Sequence, residues 1–212
     1  MFEQFGSGAP VRVRAGRVRT VLGFRPHTGW TVVVAVGGAA TAPAAAWRGR
    51  LELWRSSETA QVYHAVRTKR DLDAAGERVR LAAEAAQRIA VEELGTLLAT
   101  LRADGFEAAA AAIPLGGMPV PRSLARILPS HSLLHAAEGE LFRDALIAAA
   151  EHHCVTVVRP PQGDLVVRAA LQLGLSEQAV LSTLAEMGRR LGPPWRKDEK
   201  DAALTAWLTL VS

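Results

Sequence analysis

Residues 18–36 read VRTVLGFRPHTGWTVVVAV, and this stretch decides the expected fold class. Apolar and β-branched residues lie on both sides of a PHTG segment, which predicts a strand over Val18–Phe24, a turn, and a second strand over Trp30–Val36. A small-residue loop is expected over Gly37–Ala46. A third strand is expected over Arg50–Trp54, where charged and apolar residues alternate. Three strands with short connections predict an antiparallel meander.

The spacing of apolar residues changes to that of helices in the rest of the chain. Asp73–Arg102 has apolar residues at helical spacing, which predicts a long amphipathic helix. Phe106–Leu115 is an apolar run bounded by glycines and is typical of a strand buried on both faces. A helix capped by Ser130 and ending near His152 then precedes a strand over Cys154–Val158. The other expected elements are a short helix within Pro119–Pro129 and helices near Asp164–Leu173, Ser176–Leu191 and Arg196–Leu210.

The length and composition of the chain are those of one globular domain. The sequence has 212 residues, of which 49% are hydrophobic and 22% are charged, the usual balance of a folded protein. Residues 1–10 have no periodicity and are expected to be a flexible tail. We expect residues 11–212 to form a single domain with a helical insertion at about 162–192.

The sequence predicts a cytoplasmic protein that does not enter the membrane. Its aliphatic stretches are far shorter than the roughly 20 residues that cross a bilayer, and the first residues do not have the pattern of a secretory signal. Cys154 is the only cysteine, so no intrachain disulfide can form. Its position before a β-branched run predicts that it is buried.

Positive charge is concentrated in the N-terminal third of the chain. Residues 1–70 contain eleven arginines or lysines against three glutamates, a net charge of +8, whereas residues 71–212 have a net charge of −4. A basic segment of this kind attracts phosphate backbones if its side chains converge on one face. The alternative is a set of solvated arginines that flank strands.

The order of elements resembles that of the RNase H-like superfamily, and two short motifs add to the resemblance. Gly23–Trp30, GFRPHTGW, is similar to the first-strand signature of RuvC-type resolvases, in which Gly, an apolar residue, Asp and Pro precede a Thr-Gly-aromatic start to strand two. Residues 198–204, DEKDAAL, resemble the start of their last helix. The resemblance implies an α/β, RNase H-like fold with a five-stranded mixed sheet, in the order β-β-β-α-β-α-β-α, and extra helices before the last one.

The resemblance also implies where a nuclease site would lie. Such nucleases hold two divalent ions with carboxylates on strand one, strand four and the last helix. Here Arg25 stands at the strand-one position, and the strand-four position falls near Pro114, where there is no carboxylate. Only Asp198 and Asp201 match. We therefore expect a degenerate, non-catalytic RNase H-like protein in which a divalent metal is not favoured.

A second candidate site lies on the helix that follows Ser130. His131, His135 and Glu138 stand at i, i+4 and i+7, so they share one helix face and could hold a small cation or a water. The helix is expected to begin beyond the carboxyl end of the Phe106–Leu115 strand. The alternative is that these side chains only hydrogen-bond to loop backbone.

Three more residues are candidates for ligand binding. We expect His27, after strand one, and His64, after strand three, to approach the same end of the sheet as Arg25. Together they would make a cationic pocket for a phosphate or carboxylate ligand. The alternative is a plain ion pair between Arg25 and Asp198 or Asp201.

Three functions are compatible with the sequence. The first is binding of nucleic acid, or of a nucleic-acid-processing partner, through the basic N-terminal third. The second is a hydrolase or metal-binding enzyme with a site rebuilt around His131, His135, Glu138, Asp198 and Asp201. The third is a structural or assembly protein whose tryptophans serve an interface. Nucleotide, dinucleotide and paired-cysteine motifs are absent, so the sequence supports no common cofactor.

Overall fold

A computed structural model describes residues 17–69, 71–161 and 163–210. The described residues form five strands and seven helices in nearly the expected order. The strands are β1 Val18–His27, β2 Trp30–Ala39, β3 Ala42–Glu52, β4 Phe106–Ala112 and β5 Thr156–Val158. The helices are α1 Val62–Val66, α2 Leu72–Ala103, α3 Leu124–Ile127, α4 His131–His152, α5 Leu165–Leu173, α6 Glu177–Leu191 and α7 Lys197–Leu210.

The strands form one mixed sheet in the order β3-β2-β1-β4-β5. β1 and β2 are antiparallel, as are β2 and β3. β1 is parallel to β4, and β4 is parallel to β5. This arrangement confirms the expected α/β class with a five-stranded mixed sheet. β1 lies at its centre because it pairs with both the meander and the parallel strands.

Helices cover both faces of the sheet, and the alternation of side chains along β1 separates two hydrophobic cores. Leu22 and Phe24 point towards α2 and α4. Val21 belongs to the core beneath α7 on the other face. Because successive side chains of a strand point to opposite faces, Gly23 and Arg25 also face α7. The strand therefore presents an arginine on one face and a phenylalanine on the other.

Helix α7 lies very close to β1. A Cβ atom at Gly23 would be 1.9 Å from the carbonyl oxygen of Ala202 and 2.7 Å from the backbone nitrogen of Ala206. Trp207 of this helix is fully buried, and its indole nitrogen donates a hydrogen bond of 2.9 Å to the carbonyl oxygen of Ala40. Glycine at position 23 thus allows α7 to pack directly on the central strand.

Side chains cap the starts of three helices, and Ser130 was predicted to do so. Ser130 caps α4 by accepting a hydrogen bond from the backbone of Leu133. Ser176 caps α6 in the same way, and Asp71 caps α2 through two backbone N–H groups. Each cap satisfies N–H groups that have no partner within the helix.

The predicted small-residue loop over Gly37–Ala46 is wrong. β2 continues to Ala39 and β3 begins at Ala42, with Gly38 paired opposite Pro43 at a positive φ of 93°. Main-chain hydrogen bonds hold these strands together. These hydrogen bonds do not require apolar and polar side chains to alternate. A strand made mainly of glycine and alanine is therefore hard to recognise from its sequence.

Predictions for the later strands also need correction. Cys154 is exposed, not buried, and has a φ of 56°. It turns the chain from α4 to Val155, which is the buried residue, so β5 begins only at Thr156. β4 ends at Ala112, and its first half is partly exposed rather than buried on both faces.

Some predictions lie outside the described residues or stay predictions. The expected tail, residues 1–10, is not among the residues that the structure describes. α5 and α6 occupy the range expected for a helical insertion and pack into the core beneath α7. The assignment of residues 11–212 to one domain stays a prediction. Within the described ranges, no helix combines the length and apolar character needed to cross a bilayer.

Candidate functional site

All eight predicted site residues lie near the edge of the sheet where β1, β4 and β5 end. These three strands are parallel, so their carboxyl ends meet at one edge, the usual position of ligands in open α/β sheets. α4 begins at this edge because it connects the end of β4 to the start of β5. The site residues form two groups. The aspartate cluster is Arg25, His27, Asp198 and Asp201, and the histidine cluster is His64, His131, His135 and Glu138.

In the aspartate cluster, both aspartates of α7 pair with cationic side chains. The Nε atom of Arg25 lies 3.6 Å from Oδ1 of Asp198 and 3.5 Å from Oδ2 of Asp201. His27 Nε2 lies 3.1 Å from the other oxygen of Asp198, and Lys197 also pairs with Asp201. The ion-pair alternative for Arg25 is therefore present in the structure.

The aspartate cluster contains the residues that the resemblance aligned with a nuclease metal site, which the sequence did not favour. Arg25, Pro114 and Asp201 line the same cavity of about 130 Å³. A guanidinium between two carboxylates supplies the positive charge that a metal ion would otherwise supply. A hard cation needs several anionic oxygens, and here the two carboxylates that remain already have cationic partners. This arrangement does not favour magnesium.

His27 has a structural environment of its own. Its ring stacks on Trp30, with centroids 4.0 Å apart, and Arg50 lies 4.1 Å above the same indole. Burial is the main cause that lowers the pKa of His27. Asp198 acts in the opposite direction, and Arg25 and Arg50 add to the lowering. His27 therefore belongs with Asp198 and Trp30 and does not join His64 in the predicted cationic pocket.

We expect His27 to make stability depend on pH. Its folded pKa lies below the ordinary value of 6.5, so below pH 6.5 the unfolded chain takes up a proton that the folded chain does not. The free energy of unfolding should therefore fall as the pH is lowered from 6.5 to about 5. Urea titrations of wild type and His27→Gln at several pH values would measure it. An identical pH dependence in both proteins would contradict the assignment.

The histidine cluster brings together side chains from α1 and the start of α4. One ring nitrogen from each of His64, His131 and His135 lies within 4.8 Å of the others. The Nε2 atoms of His131 and His135 are 3.2 Å apart. The ring of His64 stacks at an angle against His135, with centroids 4.6 Å apart.

Glu138 lies beneath these rings and is only 1% exposed. Its Oε1 accepts hydrogen bonds from the backbone nitrogen of His64, at 3.2 Å, and from the ring Nδ1, at 2.9 Å. Its Oε2 is buried, has no hydrogen-bond partner within the described part of the chain, and lies 4.0 Å from Nδ1 of His135. A buried carboxylate with one unpaired oxygen lowers the stability of the fold unless nearby positive charge compensates it.

A small apolar core holds α1 against α3 and α4 and so positions the cluster. It contains Val66 of α1, Ile127 of α3, and Leu134 and Ala137 of α4. The i, i+4, i+7 spacing on α4 correctly placed His131, His135 and Glu138 on one face. The sequence assigned His64 to a different group because α1 is too short to be recognised from periodicity.

The predicted single site containing His131, His135, Glu138, Asp198 and Asp201 does not form. Arg25 and both aspartates lie on the α7 face of the sheet, whereas α1 and α4 lie on the opposite face. The alternation along β1 is the physical reason, since it directs Arg25 towards α7 and Phe24 towards α4.

Two solved structures are similar to this chain. The Thermus thermophilus RuvC structure has 15% sequence identity and a TM-score of 0.47, covering 89% of this chain and 92% of that chain. T. thermophilus RuvC in complex with Holliday junction substrate has 16% identity and a TM-score of 0.48, covering 90% of this chain and 91% of that chain. Similarity this remote carries no conclusion about the site.

Comparison by sequence gives no relatives. No protein-family model matches the chain, and no curated protein matches it.

Arg143 of α4 is a charged residue that the sequence did not single out. It is 9% exposed, and its Nε atom is buried with no hydrogen-bond partner among the described residues. It pairs with Glu140 at 3.4 Å, and Arg159 pairs with the other oxygen of Glu140 at 2.9 Å. Burial is the main cause that lowers the pKa of Arg143, and the nearby Arg159 and Arg25 contribute. Arg25 of β1, Arg143 of α4 and Arg159 after β5 are thus close enough to influence one another electrostatically.

Proposed function

We propose that this protein binds nucleic acid at the carboxyl edge of its sheet and does not cleave it by a two-metal mechanism. One observation carries the proposal. Four exposed basic side chains on α1, α3 and the segments next to them have no ion-pair partner among the described residues. They are Arg67, Lys69, Arg122 and Arg126.

The four basic residues lie on or next to α1 and α3, and α1 also carries His64. Arg67 and Lys69 follow His64 in the chain, and Arg126 precedes His131, while α1 and α3 share the small core described above. Unpaired surface cations on one side of a protein are available to neutralise phosphates and to release counterions. We define these four residues as the basic rim.

The rest of the basic N-terminal third gives less support to binding. Arg50 pairs with Glu52, Arg55 pairs with Glu92 and Glu93, and Arg25 pairs with the α7 aspartates. Arg12, Arg14 and Arg70 lie outside the described residues. Binding through the whole N-terminal third stays a prediction. We favour the basic rim, which takes Arg67 and Lys69 from that third and Arg122 and Arg126 from α3 and the segment before it.

The absence of two-metal cleavage is supported by Arg25. Its guanidinium group stands between the two carboxylates that would otherwise bind the ions, and Pro114 adds no ligand. Binding and cleavage are thus separate questions in this fold, because the phosphate backbone contacts surface cations while cleavage needs the metal cluster.

An assembly role has less support than nucleic-acid binding. It was based on tryptophans at an interface, but Trp207 is buried in the core beneath α7 and Trp195 packs against that core. Trp47 and Trp54 pack against the core on the other face. Their packing against the hydrophobic cores explains their presence without an interface.

The test of the proposal is a titration of fluorescent DNA and RNA, single-stranded and duplex, at two or more salt concentrations. We expect binding that weakens steeply as salt rises. Replacing all four basic-rim residues with alanine should lower affinity at low salt by at least about 10-fold. It should also flatten the salt dependence, by about one unit of slope for each phosphate that the variant no longer neutralises.

A matched control is available at the opposite edge of the sheet. Arg17 precedes β1 and Arg102 lies in the last turn of α2, and both are exposed. The double variant Arg17→Ala/Arg102→Ala should bind like wild type, whereas Arg122→Ala/Arg126→Ala, with the same loss of charge, should bind less tightly. Equal effects of the two double variants would show nonspecific attraction to net charge and would contradict the proposed interface, as would a complete lack of binding.

A further inference from the structure

We propose that His64, His131 and His135 form a binding site for a borderline divalent cation such as Zn²⁺, with Glu138 as the carboxylate that orients His64. The site is independent of nucleic-acid binding and of the aspartate cluster. Imidazole nitrogen is a preferred ligand of zinc, and three histidines with a fourth open position are a known zinc arrangement.

The distances within the cluster fit a tetrahedral ion. Zinc–nitrogen bonds of about 2.0–2.1 Å imply that two ligand nitrogens on one ion are about 3.3 Å apart. The Nε2 atoms of His131 and His135 are already 3.2 Å apart. One nitrogen from each of the three rings lies within 4.8 Å of the others, so closing the longest of these separations to the value on a bound ion takes a movement of about 1.5 Å. Such a movement is within the reach of ring rotation.

Glu138 orients the ring of His64 in the way that a carboxylate orients a zinc-bound histidine. It accepts the Nδ1–H of the ring at 2.9 Å, which leaves Nε2 as the free nitrogen and fixes the orientation of the ring. The backbone bond from His64 to the same oxygen holds α1 in register with α4. The carboxylate is almost completely buried, so the residue acts behind the rings and not as an exposed surface charge.

The unpaired Oε2 of Glu138 is an independent sign that a cation belongs here. This oxygen is buried, and no residue that the structure describes donates a hydrogen bond to it. Nδ1 of His135 lies 4.0 Å away from it. A metal ion bound to His64 and His135 would place a positive charge one ring away from the carboxylate. That charge would offset the cost of burying it.

The fourth position on the ion would be open to solvent. His131 and His135 are exposed while His64 is half-buried, so a water or an anionic ligand can approach from the side of the rim. Nitrogen ligands select zinc-like ions over magnesium, which prefers oxygen. We therefore expect Zn²⁺, and Co²⁺ as its spectroscopic substitute, to bind here, and Mg²⁺ not to bind.

The competing explanation is a hydrogen bond between two neutral histidines. In that case one ring donates from Nε2 to the other, and the separation of 3.2 Å needs no ion. The two explanations differ in what zinc does to the protein. A hydrogen-bonded pair shows no saturable zinc binding, whereas a three-histidine site binds one ion and gains stability from it.

The experiment uses the full chain without a polyhistidine tag, treated with chelator and titrated with zinc chloride by calorimetry near pH 7.5. We expect one ion per chain and a higher Tm with zinc than without it. Co²⁺ should give the intense visible absorption of four-coordinate cobalt. His131→Ala and His135→Ala should each weaken zinc binding by at least about 100-fold, more than the 10- to 100-fold that removal of a supporting carboxylate typically costs.

The control variant is His152→Ala, which removes an exposed histidine at the other end of the same helix. It should leave zinc affinity unchanged. The isosteric variant Glu138→Gln should keep the fold and weaken zinc by about 10- to 100-fold. Since His131 and His135 are exposed, their replacement should leave the Tm of the metal-free protein nearly unchanged, which keeps loss of zinc distinct from unfolding.

Two results would overturn the proposal. One is zinc binding that His152→Ala weakens as much as His131→Ala does, which would show scattered surface histidines as the ligands. The other is the absence of saturable binding to the wild-type chain, which would leave the hydrogen-bonded pair as the correct explanation.

Discussion

Arg25→Asp should make the protein dependent on magnesium. The substitution places a third carboxylate beside Asp198 and Asp201, with which Arg25 now pairs at 3.6 and 3.5 Å. Three acids at one point repel one another and oppose folding, so without metal the variant should lose about 1–3 kcal/mol of stability. That loss corresponds to a fall in Tm of roughly 2–12 °C for a chain of this size.

Magnesium should restore much of the lost stability in this variant alone. At about 10 mM ion and a Kd of about 1 mM, binding to the folded state contributes about 1.4 kcal/mol. Thermal unfolding with and without magnesium chloride measures the effect. Wild type should not respond, since its guanidinium group takes the place of the ion.

Arg25→Gln is the matched control for this experiment. It removes the cation without adding a carboxylate, so it should lose stability but respond little to magnesium. If Arg25→Asp proves as stable as wild type in the absence of metal and is unaffected by magnesium, the placement of Arg25 between Asp198 and Asp201 is wrong.

Gly23→Ala should be strongly destabilising. The new methyl group would lie 1.9 Å from the backbone oxygen of Ala202, and a helix backbone cannot move aside as the end of a flexible side chain can. α7 would have to shift away from β1, which also separates Asp198 and Asp201 from Arg25. We expect a loss of about 3 kcal/mol or more, at the upper end for overpacking, measured by urea unfolding.

Gly76→Ala is the control for the effect of replacing a glycine. Gly76 lies in α2, and a Cβ there would meet only Leu124 at an ordinary contact distance of 3.4 Å. Alanine favours helix, so this variant should gain about 0.5–1 kcal/mol. If the two variants were equally stable, the close contact between α7 and β1 would be contradicted.

The parts of the fold that could be predicted from the sequence are those in which the spacing of apolar side chains reflects the backbone conformation. α2 and α4 were found with ends within one or two residues, because apolar spacing marks both helices and Ser130 caps the second. The start of β3 was missed because Ala42–Ala46 has no alternation. Cys154 was misjudged because one residue in a left-handed conformation leaves no pattern in a sequence.

The candidate site was predictable within one element but not between elements. Helical spacing places His131, His135 and Glu138 together without any knowledge of the fold. The partner of Glu138 is His64, 74 residues away, and nothing local to either residue indicates that pairing. Grouping these residues with Asp198 and Asp201 failed because all of them lie at one edge of the sheet but on different faces.

The packing of α7 on β1 determines when an apolar face of the sheet becomes covered during synthesis. Val21, Val32, Val34 and Val36 form one face of the first two strands, and the helices that cover this face are α5, α6 and α7. During synthesis the ribosome releases these helices after all five strands. A nascent chain that ends before residue 165 therefore presents an uncovered valine surface, the kind of surface that chaperones bind. Chains cut short by premature termination should aggregate, while completed ones should not.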